Sequence, residues 1–295
     1  MSSRIASTTT RGLPHNLTFS LRLVGILPAW FVPEFVMPDG LVSPALRIPQ
    51  IFFGLSQTAG LVKTLNSLIS QIGDVADPRS QWFMADNLIT YGHTAGFRED
   101  SRFILAVQGA QPKPMELAIA WRTHTLCWAA QSCLGLEGDY VECGTYEGYS
   151  MDVVLRYLDG LPGRQCWLYD LFDPSGNSGE GKRLPEHSPA LYQKVKERFQ
   201  PWKNVTVTQG KVPDVLHRAM PERIAFLHID MNNPEAELGA MELLFDRLAV
   251  GGMVIFDDYG WTGYQDQKRA ADGFAARQGL SVLELPTGQG LMLKR

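Results

Sequence analysis

The sequence predicts an α/β protein built on a mostly parallel β-sheet with helices on both faces. After residue 140, short apolar segments typical of buried strands alternate with segments of helical periodicity. Strands that alternate with helices favour a parallel sheet, because each helix carries the chain back to the edge where the strands begin. The turn Pro286-Thr-Gly-Gln289 separates the last two apolar segments and indicates a closing hairpin. That hairpin leaves one antiparallel strand in the sheet.

The first 80 residues are predicted to form an extension, and residues 81–295 the main domain. Six prolines between Pro14 and Pro49 exclude long regular elements there. Apolar residues at helical spacing between Ala59 and Ile72 then predict an amphipathic helix with one buried face. We expect the extension to pack on the main domain or on a second copy of the chain, forming a homodimer.

Composition excludes several classes of partner. Hydrophobic residues make up 45% and charged residues 20%, and the net charge is −4, without a lysine- or arginine-rich cluster. Nucleic acid is therefore not expected as the main partner. The apolar stretch between Arg22 and Glu34 is too short and too interrupted by glycine and proline for stable membrane insertion.

The cysteines predict a reducing compartment. Cys127, Cys133, Cys143 and Cys166 form no C-x-x-C pair and accompany no histidine cluster at zinc-ligand spacing. We expect buried, reduced thiols in a cytoplasmic protein.

Local patterns place the elements of residues 81–295. Pro114 suits the first turn of a helix predicted to run to Cys133. The predicted strands are 140–143, Cys166–Asp170, Val205–Thr208, Ile224–Asp230, Met253–Asp257, Ser281–Leu285 and Gly290–Leu293. The predicted helices between them are Met151–Leu158, Ala190–Phe199, Asp214–Arg218, Pro234–Leu248 and Gln265–Gln278.

The segment Y-V-E-C-G-T-Y-E-G-Y-S, residues 140–150, is predicted to bind a ligand. A strand that enters a helix through Gly144 and Gly148 lets a ligand approach the backbone beside the partly positive helix N-terminus. Glu142 lies two residues earlier, where its carboxylate can hold an amino group. The alternative is a strand-to-helix turn that needs small residues for packing only. The candidate cofactor-binding residues of this segment are Glu142, Cys143, Gly144, Thr145, Gly148 and Ser150.

Carboxylates at the strand ends form the second candidate cluster. Asp170 ends the next strand, from which a carboxylate can bind ribose hydroxyls. Asp230, Asp257 and Asp258 end two later strands and can converge, and a hard cation such as Mg²⁺ would relieve their repulsion. The alternative is a set of solvated strand ends. Gly210, after the third strand, is expected either to line an adenine ring or to serve its turn only.

Four segments together resemble the macrocin O-methyltransferase family of class I S-adenosylmethionine (SAM)-dependent methyltransferases. They are residues 140–150, 167–173, 226–230 and 251–261, the last reading G-G-M-V-I-F-D-D-Y-G-W. The resemblance covers about residues 82–295 and implies a Rossmann-like, doubly wound fold. Enzymes of this family methylate hydroxyls on sugar or aromatic parts of natural products, with SAM and Mg²⁺.

The resemblance also implies residue roles. Glu142 and Gly144 would contact the methionine part of SAM, and Asp170 the ribose. Asp230, Asp257 and Asp258 would bind the metal, with Asp230 also the general base.

One segment departs from the family pattern. After the fourth-strand aspartate the family often has Gly-Asp-Leu-Tyr-Glu-Ser, whereas this chain has Met231-Asn-Asn-Pro-Glu-Ala. The acceptor surface is therefore expected to differ, and Asn232 or Asn233 supplies either a metal ligand or a helix cap. Residues 173–189, rich in glycine, serine and proline, are predicted to form a lid or an ordinary surface loop.

Two rival functions are compatible with these residues. The first is another nucleotide-fold enzyme, such as an aminopropyl transferase or a nicotinamide enzyme, although the G-x-G-x-x-G signature of the latter is absent from the 140–150 turn. The second is a non-catalytic SAM-binding or scaffold protein.

Overall fold

A computed structural model describes residues 45–54, 58–73, 82–172 and 188–295. The irregular arm before residue 45, the domain boundary near residue 80 and nearly all of the predicted lid lie outside these ranges.

The described ranges contain nine strands and eight α-helices. The strands are β1 (Trp82–Ala85), β2 (Leu88–Tyr91), β3 (Asp139–Cys143), β4 (Cys166–Asp170), β5 (Val205–Gln209), β6 (Ile224–Ile229), β7 (Leu248–Phe256), β8 (Leu283–Glu284) and β9 (Gly290–Leu293). The helices are α1 (Thr58–Gly73), α2 (Ser101–Gly109), α3 (Pro114–Ala118), α4 (Ala120–Ser132), α5 (Tyr149–Tyr157), α6 (Pro189–Phe199), α7 (Pro234–Leu244) and α8 (Gln265–Arg277).

The predicted α/β fold class is confirmed. Seven strands form one sheet in the order β5-β4-β3-β6-β7-β9-β8. The pairs from β5 to β7 are parallel, and β9 is antiparallel to both β7 and β8. Strand order reverses between β3 and β6, because the chain first builds outward through β4 and β5 and then returns. Ligands of doubly wound sheets bind beyond the carboxyl ends of the strands at such a switch point.

The core lies on both faces of this sheet. Successive strand residues point to opposite faces, so Tyr140 packs in one apolar cluster and Val141 in the other. Residues of α2, α4, α5 and α6 cover the first face, and residues of α7 and α8 the second. The doubly wound arrangement therefore follows from strands that are apolar on both sides.

Some boundaries differ from the sequence prediction. The helix predicted from Pro114 to Cys133 is broken at Ile119, which ends α3 and begins α4. The helix predicted to reach Leu248 ends at Leu244, and β7 begins at Leu248. Helical periodicity did not separate these residues, because both sides of each break are apolar.

The hairpin formed by β1 and β2 was not predicted. Its two-residue turn consists of Asp86 and Asn87, whose φ angles are 53° and 55°. Aspartate and asparagine tolerate this left-handed conformation better than most side chains. The turn carries no glycine, which is why the sequence signal is weak.

The described part of the extension packs on the main domain. Leu46 is buried in its core, and the Leu46 N–H donates to the Arg98 carbonyl at 3.0 Å. The predicted amphipathic helix is present as α1, whose Val62 packs with Phe52 and Met84. Residues 45–54 thus connect α1 to the hairpin.

Two further features concern the cysteines and the helices. Cys127, Cys133, Cys143 and Cys166 are buried free thiols, as predicted. Within the described ranges, none of the helices combines the length and apolar character needed to cross a lipid bilayer.

Substitution of Gly144 tests how tightly the backbone packs at the switch point. The φ of Gly144 is 96°, and a Cβ there would lie 1.7 Å from the Asp230 carbonyl oxygen, whereas Gly163, with φ 77°, has no atom near its Cβ position. Gly163→Ala should cost only the left-handed strain, about 1–2 kcal/mol. Gly144→Ala should cost about 3 kcal/mol more, because backbone must move. Denaturant unfolding of both variants measures the difference, and equal losses would contradict this account.

Candidate active site

Two glycines shape the turn between β3 and α5. The Gly144 N–H donates to the Tyr169 carbonyl at 2.8 Å, and the Asp230 N–H donates to the Cys143 carbonyl at 2.8 Å. Gly148 caps α5 with φ 81°, and a Cβ there would lie 2.6 Å from the Phe199 ring. Close packing by itself therefore requires glycine at both positions.

Asp170 stabilises this turn from β4. Its carboxylate accepts from the Tyr146 N–H at 2.6 Å and from the Phe172 N–H at 2.9 Å. Its backbone carbonyl accepts from the Gly210 N–H at 2.9 Å. The structure thus brings Asp170 and Gly210, both predicted from the sequence, together beside the glycine turn.

The other residues predicted around the turn differ in exposure. Cys143 and Thr145 are buried, whereas Ser150 lies partly exposed in the first turn of α5. Burial raises the pKa of the Cys143 thiol, which keeps it protonated and fits a packing role.

Glu142 forms a buried ion pair that sequence reasoning missed. Its Oε1 lies 3.0 Å from Nδ1 of His228 on β6, and both side chains are 1% exposed. Burial raises the pKa of Glu142, and the His228 hydrogen bond opposes the rise. Burial alone lowers the pKa of His228, but Asp257 and Glu142 outweigh it and raise that pKa to about 10. A histidine within the apolar run F-L-H-I was the available signal.

Arg122 on α4 is the second residue that sequence reasoning missed. Its guanidinium donates to both carboxylate oxygens of Asp86, Nε to Oδ2 at 2.9 Å and Nη2 to Oδ1 at 2.5 Å. Its Nη1 donates to Asp257 Oδ2 at 2.7 Å and lies 3.7 Å from Asp258 Oδ1. The Trp261 ring lies 4.8 Å from the guanidinium carbon. A buried arginine therefore binds carboxylates from both the hairpin and the end of β7.

These contacts shift the pKa values of the acids. Burial raises the pKa of Asp86 to about 6, although Arg122 opposes it. Burial alone would also raise the pKa of Asp257, but Arg122 and His228 outweigh it and hold that pKa below its usual value. The second oxygen of Asp257 accepts from Gln289 Nε2 at 3.0 Å. Both oxygens of Asp257 are therefore engaged by donors.

Asp230 differs from its neighbours. Its side chain makes no hydrogen bond with any residue that the structure describes, although it is partly buried. Burial, Asp257 and Asp258 together raise its pKa well above the usual value. The three carboxylates predicted as metal ligands thus lie close enough to influence one another. Yet within the described ranges no three acidic, histidine or cysteine side chains gather as metal ligands.

The departure from the family pattern has a local explanation. Asn233 caps α7, with its Oδ1 accepting from the Ala236 N–H at 2.9 Å. Capping is therefore the role that the structure gives Asn233. In the same helix, burial raises the pKa of Glu237 to about 8.

A groove of about 440 Å³ lies outside this cluster, between the loop 92–97 and α4. Trp121 and His124 line it, and none of the predicted site residues does. His124 packs between Phe97 and Phe103, as expected for a structural histidine.

A glycine turn at a switch point, with carboxylates on the adjacent strand ends, places this chain among the doubly wound ligand-binding α/β proteins. The model of the macrocin-O-methyltransferase (TylF) family matches residues 125–283. The chain belongs to this family, as its sequence motifs predicted.

Two similar proteins add detail. The first is a protein of Streptomyces olivaceus that is named 8-demethyl-8-(2,3-dimethoxy-alpha-L-rhamnosyl)-tetracenomycin-C 4'-O-methyltransferase. It is 31% identical to this chain over 164 residues. The match covers 50% of this chain and 61% of that protein's length. The solved structure of the O-methyltransferase NovP superposes with a TM-score of 0.51 at 22% identity, over 61% of this chain and 81% of NovP. That likeness supports the fold.

The His228 pair predicts a pH-dependent stability. Its folded-state pKa of about 10 exceeds the ordinary 6.5, so the contribution is complete below pH 6.5 and is lost as pH rises towards 10. We expect the wild type to lose stability relative to His228→Gln between pH 7 and pH 10, measured by denaturant unfolding. His124→Gln is the control, because burial lowers the His124 pKa and no titration of that group falls in this range. Parallel curves for the wild type and His228→Gln would contradict the assignment.

Proposed function

We propose that this protein is a SAM-dependent O-methyltransferase that acts on a hydroxyl of a small metabolite, on the sugar or aromatic part of a natural product. The family match carries the proposal, because it spans the glycine turn and every strand-end carboxylate of the site. The tetracenomycin relative, which is named for a rhamnosyl substrate, supports a sugar hydroxyl as the acceptor.

The residues of the glycine turn fit SAM. Oε2 of Glu142 and Oγ1 of Thr145 are buried without a hydrogen-bond partner among the described residues. Buried polar atoms that lack partners are costly, and an ammonium group at this turn would satisfy them. Asp170 lies one strand away, where its remaining lone pairs can accept from ribose hydroxyls. When bound, SAM supplies an electrophilic methyl group.

Asp230 is the proposed general base. Its carboxylate is free of hydrogen bonds to the described residues, and a raised pKa makes a carboxylate a stronger proton acceptor. Asp230 would accept the proton of the acceptor hydroxyl, so that the oxygen could receive the methyl group that bound SAM would supply. Asp230 directly follows β6 and its backbone carbonyl lies against Gly144, which supports a role beside the proposed cofactor site.

The magnesium ion expected from the family is not part of this proposal. Mg²⁺ requires oxygen ligands in nearly octahedral geometry and dehydrates reluctantly. Asp257 instead directs both oxygens to the N–H donors of Arg122 and Gln289. The described side chains therefore do not fit the metal, because Arg122 already holds a positive charge against Asp257.

Calorimetric titration of SAM and of S-adenosylhomocysteine tests the cofactor class. We expect micromolar binding, about −8 kcal/mol, and weaker binding by Glu142→Gln. Glu137→Gln, an exposed carboxylate before β3, is the matched control. A folded protein that binds neither compound would refute the methyltransferase assignment and leave the glycine turn as packing only.

Replacement of the proposed base, Asp230, distinguishes an enzyme from a non-catalytic SAM-binding protein. Asp230→Asn should keep SAM affinity and lower turnover by about 10²–10⁴-fold, measured as S-adenosylhomocysteine formed with a panel of glycosylated and phenolic acceptors. Asp246→Asn, at an exposed aspartate after α7, should leave turnover unchanged. Wild-type protein that binds SAM but turns over no acceptor would favour the scaffold, and full activity of Asp230→Asn would remove its role as base.

A further inference from the structure

We propose that the guanidinium of Arg122 is the resident cation of the carboxylate cluster and takes the place of a divalent metal there. The cluster comprises Asp86, Asp230, Asp257 and Asp258. The inference that methyl transfer needs no metal rests on the proposed function, whereas the exclusion of a metal from the cluster stands without it.

The first support is the completeness of the arginine's contacts. Arg122 is 9% exposed at its side chain, and Asp86 is 3% exposed. A bidentate pair with Asp86 fixes the plane of the guanidinium, and Nη1 then points to the carboxylates that end β7. Such fork geometry holds an arginine in one orientation.

The second support comes from the hydrogen bonds that the Asp257 carboxylate accepts. Asp257 Oδ2 accepts from Arg122, and its Oδ1 accepts from Gln289 and lies 3.9 Å from His228 Nε2. A metal bound to Asp257 would have to share each oxygen with the N–H donor that already occupies it. It would also have to approach a fixed positive charge located 2.7 Å from one of them.

The third support is the hairpin that holds the arginine. Asp86 lies in a two-residue turn with a left-handed backbone, and its N–H donates to the Ile51 carbonyl at 2.9 Å. The adjacent Asn87 donates through Nδ2 to the Phe53 carbonyl at 3.0 Å. On the other side the Trp261 ring packs on the guanidinium and meets Phe53 edge-on. Segments far apart in the chain therefore enclose one cation.

A structural consequence concerns the division of roles among the acids. Arg122 neutralises and orients Asp257, so it is a positioning residue. Asp230 is left as the carboxylate without a hydrogen-bond partner among the described residues. On the proposed function, no metal would then compete with an acceptor hydroxyl for this carboxylate.

The proposal is tested by titrating Mn²⁺ into the SAM-free full chain and measuring the bound ion by electron paramagnetic resonance. The wild type should show no saturable site at millimolar Mn²⁺. Arg122→Met, which leaves the acids without their cation, should gain one Mn²⁺ site and bind Mn²⁺ at least about tenfold more tightly than the wild type does. Mg²⁺ should then raise the melting temperature of this variant relative to its value in EDTA. Arg122→Lys keeps a positive charge and should not gain the site.

Controls make each result decisive. Arg102→Met removes an exposed arginine paired with Asp159 and should leave Mn²⁺ binding unchanged. A stoichiometric Mn²⁺ site in the wild type, lost in Asp257→Asn, would overturn the proposal, and so would a folded Arg122→Met protein that gains no site. If Arg122→Met does not fold, Arg122→Gln, which retains a donor for Asp86, replaces it. Failure of SAM to bind in the separate calorimetric experiment would refute the proposed function without changing these outcomes.

Discussion

The parallel pairing of β3 with β6 at the centre of the sheet is the constraint on which the site depends. It directs the Asp230 N–H to the Cys143 carbonyl and leaves no space for a side chain at Gly144. Because the two strands end together, the glycine turn and Asp230 meet at the switch point of the fold. A ligand bound at this turn, as proposed above, would therefore lie beside the carboxylate that follows β6.

Buried charge is concentrated along this same edge. Glu142 pairs with His228, His228 lies near Asp257, and Asp257 accepts from Arg122. Desolvation makes such groups costly, and removing one partner of a buried pair typically destabilises a protein by about 3–5 kcal/mol. The chain of pairs thus ties β3, β6, β7 and α4 into one arrangement. The same pairs restrain the side chains around the proposed cofactor and acceptor positions, which is the preorganisation that catalysis requires.

The β1–β2 hairpin extends this arrangement beyond the sheet. Its turn provides Asp86 to Arg122, and residues 45–54 hydrogen-bond to the turn through Ile51 and Phe53. Through these contacts a segment outside the sheet influences the orientation of Arg122. Residues 45–54 are accordingly part of the site's supporting structure, and not only a cover for the domain.

The sequence by itself determined the doubly wound fold, the family and the edge at which the carboxylates lie. Those features follow from local periodicity, glycine spacing and the residues that end each strand, such as Asp170 and Asp230. Only the tertiary structure decided which charges meet. Arg122 looked like one polar position on a helix of weak amphipathic pattern, and it lies 135 positions before Asp257. His228 was hidden in an apolar strand. Their partners come from elements distant in the chain, so local patterns carry no information about these contacts.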